Sequence, residues 1–148
     1  MSTYRKPPPH STYLIQLHLV WITKYRKKVL VGNIVVWTRN LLREICDKNE
    51  VQILAGHVAT DHVHMFVSIP PRLSISKLMQ YLKGTTSRKL QTEFKSLHRQ
   101  YWGQHIWARG YFCVSSGNVT DDMIKNYIKN HDERDDNFSI VGDGVEDR

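Results

Sequence analysis

Residues 12–23, TYLIQLHLVWIT, constrain the fold most, because this stretch is apolar on both faces of an extended chain. Side chains alternate between the faces of a strand, so Leu14, His18 and Ile22 share one face and Leu17 lies on the other. The many β-branched and aromatic residues also favour a strand. A strand that is apolar on both faces must be covered on both, so the sequence predicts a central strand of a sheet.

Apolar residues at spacings of three and four predict three helices. The first spans 34–49. The second spans 75–97, with Ser74 as its N-cap and a break or bend at Gly84. The third begins at Thr120, which can cap it, and follows a turn or hinge at Gly117 and Asn118.

Three further segments have strand patterns. Residues 50–59 and 61–70 are separated by a turn at Thr60 and Asp61, which predicts a hairpin, and residues 105–116 predict one or two short strands. The order β-α-β-β-α-β-α contains no repeat. It predicts an α+β fold of the ferredoxin-like (RRM-like) type, in which an antiparallel sheet has helices packed on one face and a C-terminal helix follows.

Charge divides the chain into a basic body and an acidic end. Of the 21 basic and 14 acidic side chains, residues 132–148 contain two and seven, which leaves residues 1–131 with a net charge of +12. This charge favours a polyanion partner, above all nucleic acid, over an ordinary solvated surface. We therefore expect a disordered leader over 1–10, one domain over 11–131 and an acidic flexible tail over 132–148.

Other classes of protein are disfavoured. No apolar run reaches the roughly 20 residues that a membrane span requires, and the first residues lack the apolar stretch of a signal peptide. Cys46 and Cys113 have no metal-type spacing, and we expect no disulfide between them. These features predict a cytoplasmic protein without a membrane partner.

The segment DHVHMF, residues 61–66, places two imidazoles within one predicted strand. His62 and His64 point to the same face, with roughly 7 Å between their Cα atoms, so both rings can reach one ion. The alternative is a strand with one polar, half-exposed face. Asp61 could orient a ligating imidazole or simply form the turn.

Four segments in the same order carry a family resemblance: HLVWITKYRKKVL at 18–30, DHVHMFVSIPPRLSISKLMQYLKGTTSRKL at 61–90, WARGYF at 107–112 and IKNYIKNH at 124–131. Together they closely resemble the single-tyrosine HUH transposases of the insertion sequence 200/605 family. The name HUH denotes histidine, hydrophobic residue, histidine, which residues 62–64 match.

The resemblance implies a chemistry for these residues. Tyr127 would attack single-stranded DNA, retain its 5' phosphate as a phosphotyrosine and release a free 3' hydroxyl, while His62 and His64 bind a divalent metal ion, Mg²⁺ or Mn²⁺. Relatives usually place a glutamine four residues after the tyrosine as a third ligand. Here that position is His131, and because imidazole suits Mn²⁺ better than Mg²⁺, the metal preference stays open.

The resemblance also implies partners: single-stranded DNA hairpins at element ends, and a second copy of the chain in a homodimer whose active sites are shared between subunits. Two basic clusters are the expected DNA-binding surfaces, with ordinary solvated charge as the alternative. The first cluster surrounds Tyr25 and the second flanks Gly84. Their members are Lys24, Arg26, Lys27 and Lys28, and Lys83, Arg88 and Lys89.

The function expected from the resemblance is a metal-dependent DNA transposase that cleaves and rejoins single-stranded DNA at insertion-sequence ends. Three alternatives stay open at the level of sequence. The first is a domesticated relative that processes repeat hairpins. The second is a catalytically silent single-stranded DNA- or RNA-binding domain, because sheets of this type also serve as binding platforms. The third is a phosphohydrolase that uses the histidines and a metal but no tyrosine.

Overall fold

The structure is a computed structural model that describes residues 13–115 and 121–138, the latter with side chains at 122–130. Its strands are β1 (Gln16–Ile22), β2 (Gln52–Val58), β3 (His62–Ser68) and β4 (Phe112–Ser115). Its helices are α1 (Asn33–Lys48), α2 (Ile75–Glu93), α3 (Lys95–Gln100) and α4 (Asp121–Phe138), and a short 3-10 turn covers Lys24–Arg26.

The four strands form one antiparallel sheet in the order β2-β3-β1-β4. This arrangement confirms the predicted α+β fold of ferredoxin-like type, and it places β1 between two neighbours, as its doubly apolar pattern predicts. β2 and β3 form the expected hairpin, whose turn is closed by a hydrogen bond from the Ala59 amide to the His62 carbonyl (2.8 Å). β1 and β3 pair without interruption, from Gln16 opposite Ser68 to Ile22 opposite His62.

One face of the sheet is the apolar core. Leu19 and Trp21 of β1 and Val63 of β3 are fully buried there, in the same cluster as the inward stripes of α1 and α2. Burying a side chain of this size stabilises the fold by about 1.5–3 kcal/mol. The stripe of α1 (Leu41, Leu42, Ile45, Cys46) and that of α2 (Leu78, Met79, Leu82, Leu90) recur at helical spacing, which is why these segments fold as helices.

The opposite face contains the histidines. His18, Val20 and Ile22 of β1 point to this side, together with His62 and His64 of β3. Val20 and Ile22 are buried, and α4 lies against β1 and the 3-10 turn. The central strand is therefore covered on both sides, by α1 and α2 on one face and by α4 on the other.

One predicted helix boundary agrees with the structure, and another does not. The Ser74 hydroxyl accepts a hydrogen bond from the Lys77 amide, which confirms the predicted N-cap of α2. Of the predicted break or bend at Gly84, the break is wrong, because α2 continues through it and the interruption falls at Phe94, whose backbone is extended. A single glycine costs a helix about 1 kcal/mol, less than the burial of the stripe on either side contributes.

Some predictions fall outside the described residues: the leader over 1–10, the joint at Gly117 and Asn118, and the Thr120 cap. The backbone of α4 continues to Phe138, past the predicted domain boundary at residue 131. Cys46 and Cys113 are both free thiols. Within the described ranges, no helix has the length and apolarity needed to cross a membrane.

Candidate active site

A row of side chains crosses the histidine face from one edge of the sheet to the other. Phe112 of β4 lies opposite Val20, Val20 lies opposite His64, and His64 lies opposite His57 of β2. Directly opposed residues of antiparallel strands share a face. Because His62 is two residues from His64 in β3, it lies on the same face, and its ring is 6.5 Å from that of His57.

His62 is fixed by a hydrogen bond to its neighbour Asp61. Nδ1 of His62 lies 2.9 Å from one carboxylate oxygen of the buried Asp61, whose other oxygen accepts from Nε of Arg26 at 3.1 Å. The bond with His62, together with the Arg26 guanidinium, lowers the pKa of Asp61 despite its burial. The charged carboxylate therefore accepts the Nδ1 proton, which leaves Nε2 as the nitrogen of His62 that a metal ion would bind.

His64 has a different partner, which sequence reasoning missed. Its Nε2 lies 3.0 Å from Nδ1 of His18, and the His18 ring is stacked on Phe66 at a centroid distance of 4.4 Å. Burial lowers the pKa of His18, which favours its neutral form. One imidazole donates and the other accepts, so Nε2 of His64 is engaged in either tautomer. A metal ion at this nitrogen would replace His18 as its partner.

The histidines fit a metal ion in part. His62 and His64 share a face and offer imidazole nitrogen, a common ligand for divalent transition metals. Among residues 13–115 and 122–130, however, no three His, Cys, Asp or Glu side chains converge as a complete site requires. The predicted third ligand, His131, belongs to α4, but the structure does not describe its side chain.

Tyr127 lies on the same face of the sheet as the histidines. Its ring contacts Phe112 at a centroid distance of 5.5 Å, at the β4 end of the row that contains His64. Phe112 and His64 are separated by β1, which is two strand spacings or about 10 Å. The hydroxyl oxygen of Tyr127 is enclosed by protein atoms. A phosphodiester can reach this oxygen only after α4 or its surroundings shift.

The first basic cluster (Lys24, Arg26, Lys27 and Lys28) adjoins the histidine site. Arg26 links it directly to Asp61 and so to His62. Tyr25 and Arg26 both have left-handed backbone conformations, with φ of 61° and 52°, which non-glycine residues rarely adopt and which occur preferentially at functional sites. The structure therefore brings together the cluster and one member of the histidine pair, which are far apart in sequence.

The second basic cluster (Lys83, Arg88 and Lys89) lies on α2, behind the opposite face of the sheet. The Lys83 ammonium donates to the carbonyls of Ala108 and Gly110, each at 2.8 Å, and burial lowers the pKa of Lys83 to about 8. Lys83 thus fastens α2 to the segment before β4. Arg88 and Lys89 are exposed. The structure does not bring this cluster together with the histidines.

His18 and His57 join the site only through strand pairing. Each lies on a predicted strand, but its neighbour across the sheet depends on which strands pair and in what register. The only sequence signal was parity, since His18 falls on the same face of β1 as Val20 and Ile22. The bulge between Ile53 and Ala55 shifts the register of β2, and periodicity does not predict it.

Comparison of the sequence with known proteins finds transposases of insertion sequences. A sequence model of the family described as "Transposase IS200 like" matches residues 11–131. The chain is 35% identical over 126 residues to the transposase for insertion sequence element IS200 of Salmonella typhimurium, covering 85% of this chain and 82% of the relative. It is 29% identical over 123 residues to the ISDra2 transposase TnpA of Deinococcus radiodurans, with coverage of 83% and 88%.

Solved structures give the same result at the level of the fold. A crystal structure from Deinococcus radiodurans R1, of a protein assigned as a transposase, superposes with a TM-score of 0.79 at 30% identity, covering 86% of this chain and 98% of that one. A REP-associated tyrosine transposase bound to a REP hairpin superposes with a TM-score of 0.54 at 16% identity, covering 88% and 74%. The second likeness concerns the fold alone.

Proposed function

The chain belongs to the IS200-like transposase family, and on that premise we propose that it cleaves and rejoins single-stranded DNA through a 5'-phosphotyrosine on Tyr127. The observation that carries this proposal is the placement of Tyr127, His62 and His64 on one face of the sheet, with α4 against β1. A tyrosine and a histidine pair that merely filled the core would not need a shared face opposite α1 and α2.

The proposed cleavage exchanges one ester of phosphorus for another. The phenol oxygen of Tyr127 forms a bond to phosphorus while the bond from phosphorus to the 3' oxygen breaks. The phenol loses a proton and the departing 3' oxygen gains one, so the products are a 5'-phosphotyrosine and a free 3' hydroxyl. Because the phosphate ester is conserved, a 3' hydroxyl of another strand can later attack the phosphotyrosine and rejoin the DNA.

His62 and His64 would hold a divalent cation, with His131 as the proposed third ligand. When bound, such an ion polarises the scissile phosphate and offsets charge in the transition state. The part played by Asp61 is to set the tautomer and orientation of His62. Arg26 stabilises the Asp61 carboxylate from its other side, and His18 has to release Nε2 of His64 before that nitrogen can serve as a ligand.

The proposed substrate is a single-stranded end that contains a hairpin. Support comes from the basic body of the chain and from a structural neighbour, the REP-associated tyrosine transposase, which is bound to a REP hairpin. Arg26 provides positive charge next to the Asp61–His62 pair, and Lys24 and Lys27 are its near neighbours in the chain. This position suits phosphate contacts that guide a strand toward the histidines.

The decisive experiment is a covalent-adduct assay. Wild-type protein is incubated with a single-stranded element end and a divalent metal, and a denaturant-resistant protein–DNA adduct is measured. Tyr127→Phe should form no adduct yet retain hairpin binding, because the change removes one oxygen and no positive charge. Tyr81→Phe, which removes a phenol hydroxyl from the exposed side of α2, is the matched control and should react like wild type. An adduct that persists in Tyr127→Phe would refute the assignment of the nucleophile.

We also propose that the protein acts as a homodimer in which Tyr127 of one subunit serves the His62–His64 pair of the other. The enclosed Tyr127 hydroxyl supports some rearrangement of α4 before catalysis, and exchange of an identical element between subunits is a low-cost route to a dimer.

Complementation tests the shared site. Tyr127→Phe and His64→Ala subunits, each inactive alone, are mixed and allowed to exchange. With shared sites, each mixed dimer has one intact site and should recover about half of the wild-type activity per dimer. If preparations that demonstrably contain mixed dimers stay inactive, the sites lie within single subunits.

A further inference from the structure

Trp102 is far more exposed than the other large apolar side chains in the described residues. Its exposed fraction is 86%, whereas the next most exposed, Leu14, reaches 57%. Trp21 and Trp107 are buried, and Trp37 packs edge to face on Phe94. An indole left in water forgoes the large stabilisation that burial of an aromatic ring brings. Packing within the fold therefore does not explain why a tryptophan occupies this position.

The turn around Trp102 is tightly fixed by its neighbours. The Trp102 amide donates to the Arg99 carbonyl (3.3 Å), and the Gly103 amide donates to the His98 carbonyl (3.0 Å). Gly103 has a φ of 71°, and a Cβ there would come within 3.0 Å of the His98 ring. Trp102 itself has a φ of 51°. The indole is therefore presented to solvent from a defined backbone conformation.

Backbone strain concentrates at this surface. In the described part of the chain, four non-glycine residues have positive φ, and three of them are Tyr25, Arg26 and Trp102. Conformations of this kind are unfavourable and persist only where the surroundings enforce them, most often at binding and catalytic sites. Tyr25 is also an exposed aromatic residue, 42% accessible.

The turn is joined directly to the first basic cluster. Nζ of Lys27 donates to the Gln100 carbonyl at 3.3 Å and lies 5.1 Å from the centre of the Tyr101 ring. The Tyr101 hydroxyl donates to the Lys24 carbonyl at 3.2 Å. The turn that contains Trp102 is thus attached to Lys24 and Lys27, and Arg26, which lies between them in sequence, bonds to Asp61.

We propose that Trp102 is a stacking platform for an unpaired base of single-stranded DNA, whose neighbouring phosphates are bound by Lys24, Lys27 and Lys28. This inference rests on the proposed function and adds to it a contact with a base. An aromatic ring among cations is the usual combination for single-stranded nucleic acid, because every base has a face that can stack while the cations follow the backbone.

Charge argues against a second copy of the chain as the occupant. In a two-fold contact the same patch meets itself, so the Lys24 and Lys27 side chains attached to one turn would oppose those of the other. Like charges brought together in this way disfavour association. Single-stranded DNA instead supplies bases that can stack on the indole and negative charge that complements the cations.

The test measures binding of a short labelled oligothymidylate and of the same oligonucleotide with abasic sites. It is run in the Tyr127→Phe background, so that chemistry does not intervene. Trp102→Asn removes the ring but tolerates the left-handed backbone, since asparagine adopts it readily. This variant should bind oligothymidylate about tenfold or more weakly, whereas Trp102→Phe should stay within about threefold of the parent protein.

Three controls sharpen the result. The abasic oligonucleotide should bind the parent and the Trp102→Asn variant equally, because there is no base to stack. The salt dependence of binding should be the same in both, since every phosphate contact is retained. Tyr81→Gln, which removes an exposed aromatic ring beside Lys77 on α2, should leave binding unchanged.

The inference is overturned if Trp102→Asn binds oligothymidylate as tightly as the parent protein, or loses affinity equally for the abasic oligonucleotide. A change in sedimentation with Trp102→Asn, without a change in DNA affinity, would assign the indole to contact between copies. Failure of the proposed function is a separate outcome: wild-type protein would then form no covalent adduct, whatever the binding assay shows.

Discussion

In the segment HVH, consecutive residues of β3 belong to two regions with different physical roles. Val63 points into the core between the sheet and α1 and α2 and is fully buried. His62 and His64 point the other way, each half-buried and each bonded to a polar side chain. One face is built from apolar contacts that have no chemical use beyond stability. The other contains imidazoles, a carboxylate and a phenol, groups that can react or bind ions.

In β3, and at His18 of β1, strand parity separates core side chains from reactive ones, although Val20 and Ile22 on the histidine face are also buried. Leu19 and Trp21 of β1 are part of the core, whereas His18 contacts His64. Substitutions on the core face should therefore change the free energy of unfolding, and those on the histidine face should change metal binding and cleavage. Four sets of substitutions can break or sharpen this separation, in order of decreasing expected effect.

The largest effect is expected within the HVH segment itself. His62→Ala or His64→Ala should lower adduct formation by more than about a hundredfold, because each removes a proposed metal ligand, and should change stability little. Val63→Ala should instead lower the free energy of unfolding by on the order of 2 kcal/mol through the cavity that it leaves. Denaturant titrations and adduct yields of the three variants are compared. Equal loss of stability in all three would break the separation.

A smaller effect is expected one step away from the ligands. Asp61→Asn keeps the shape but removes the charge that orients His62 and pairs with Arg26. Removal of such a partner typically weakens metal binding by about 10- to 100-fold. Titration of Mn²⁺ by calorimetry measures this directly, without reliance on activity. If metal affinity is unchanged, Asp61 only closes the turn between β2 and β3.

The first basic cluster should affect the binding of DNA rather than its cleavage once it is bound. Replacing Lys27 and Lys28 by glutamine should weaken hairpin affinity and lower the slope of log K against log salt by roughly one unit for each phosphate that is no longer bound. The matched control replaces Arg88 and Lys89, which are exposed on α2 behind the other face. If the control pair changes the slope and Lys27 and Lys28 do not, the DNA lies on the helix layer.

The smallest effect is expected in α2. A Cβ at Gly84 would have no neighbour within 4 Å, and the helix is continuous there. Gly84→Ala should therefore raise the free energy of unfolding by about 0.5–1 kcal/mol and leave hairpin affinity unchanged. Thermal unfolding and a binding assay measure both quantities. A loss of affinity would place the DNA on α2 near Gly84, beside the second basic cluster.

Much of the fold could be predicted from the sequence because its signals are local. Alternation of side chains places His62 and His64 on one face of a strand whatever that strand pairs with. The apolar pattern of residues 12–23 required cover on both faces, and Ser74 specified the start of α2 through a hydrogen bond three residues away. The break predicted at Gly84 was wrong, because the weak helix-breaking preference of glycine is outweighed by burial of the stripe on both sides of it.

What the sequence by itself determined is therefore the order of the main strands and helices, the alternation of side chains between the faces of a strand, and the candidate residues for the proposed site. Only the tertiary structure decided which of these residues meet. Strand order and register brought His18 to His64, and the packing of the 3-10 turn brought Arg26 to Asp61. The packing of α2 against the segment before β4 placed the Lys83 ammonium at two carbonyls. The physical reason is range: backbone dihedral angles and side-chain alternation act within a few residues, whereas contacts between distant segments depend on the packing of the whole chain.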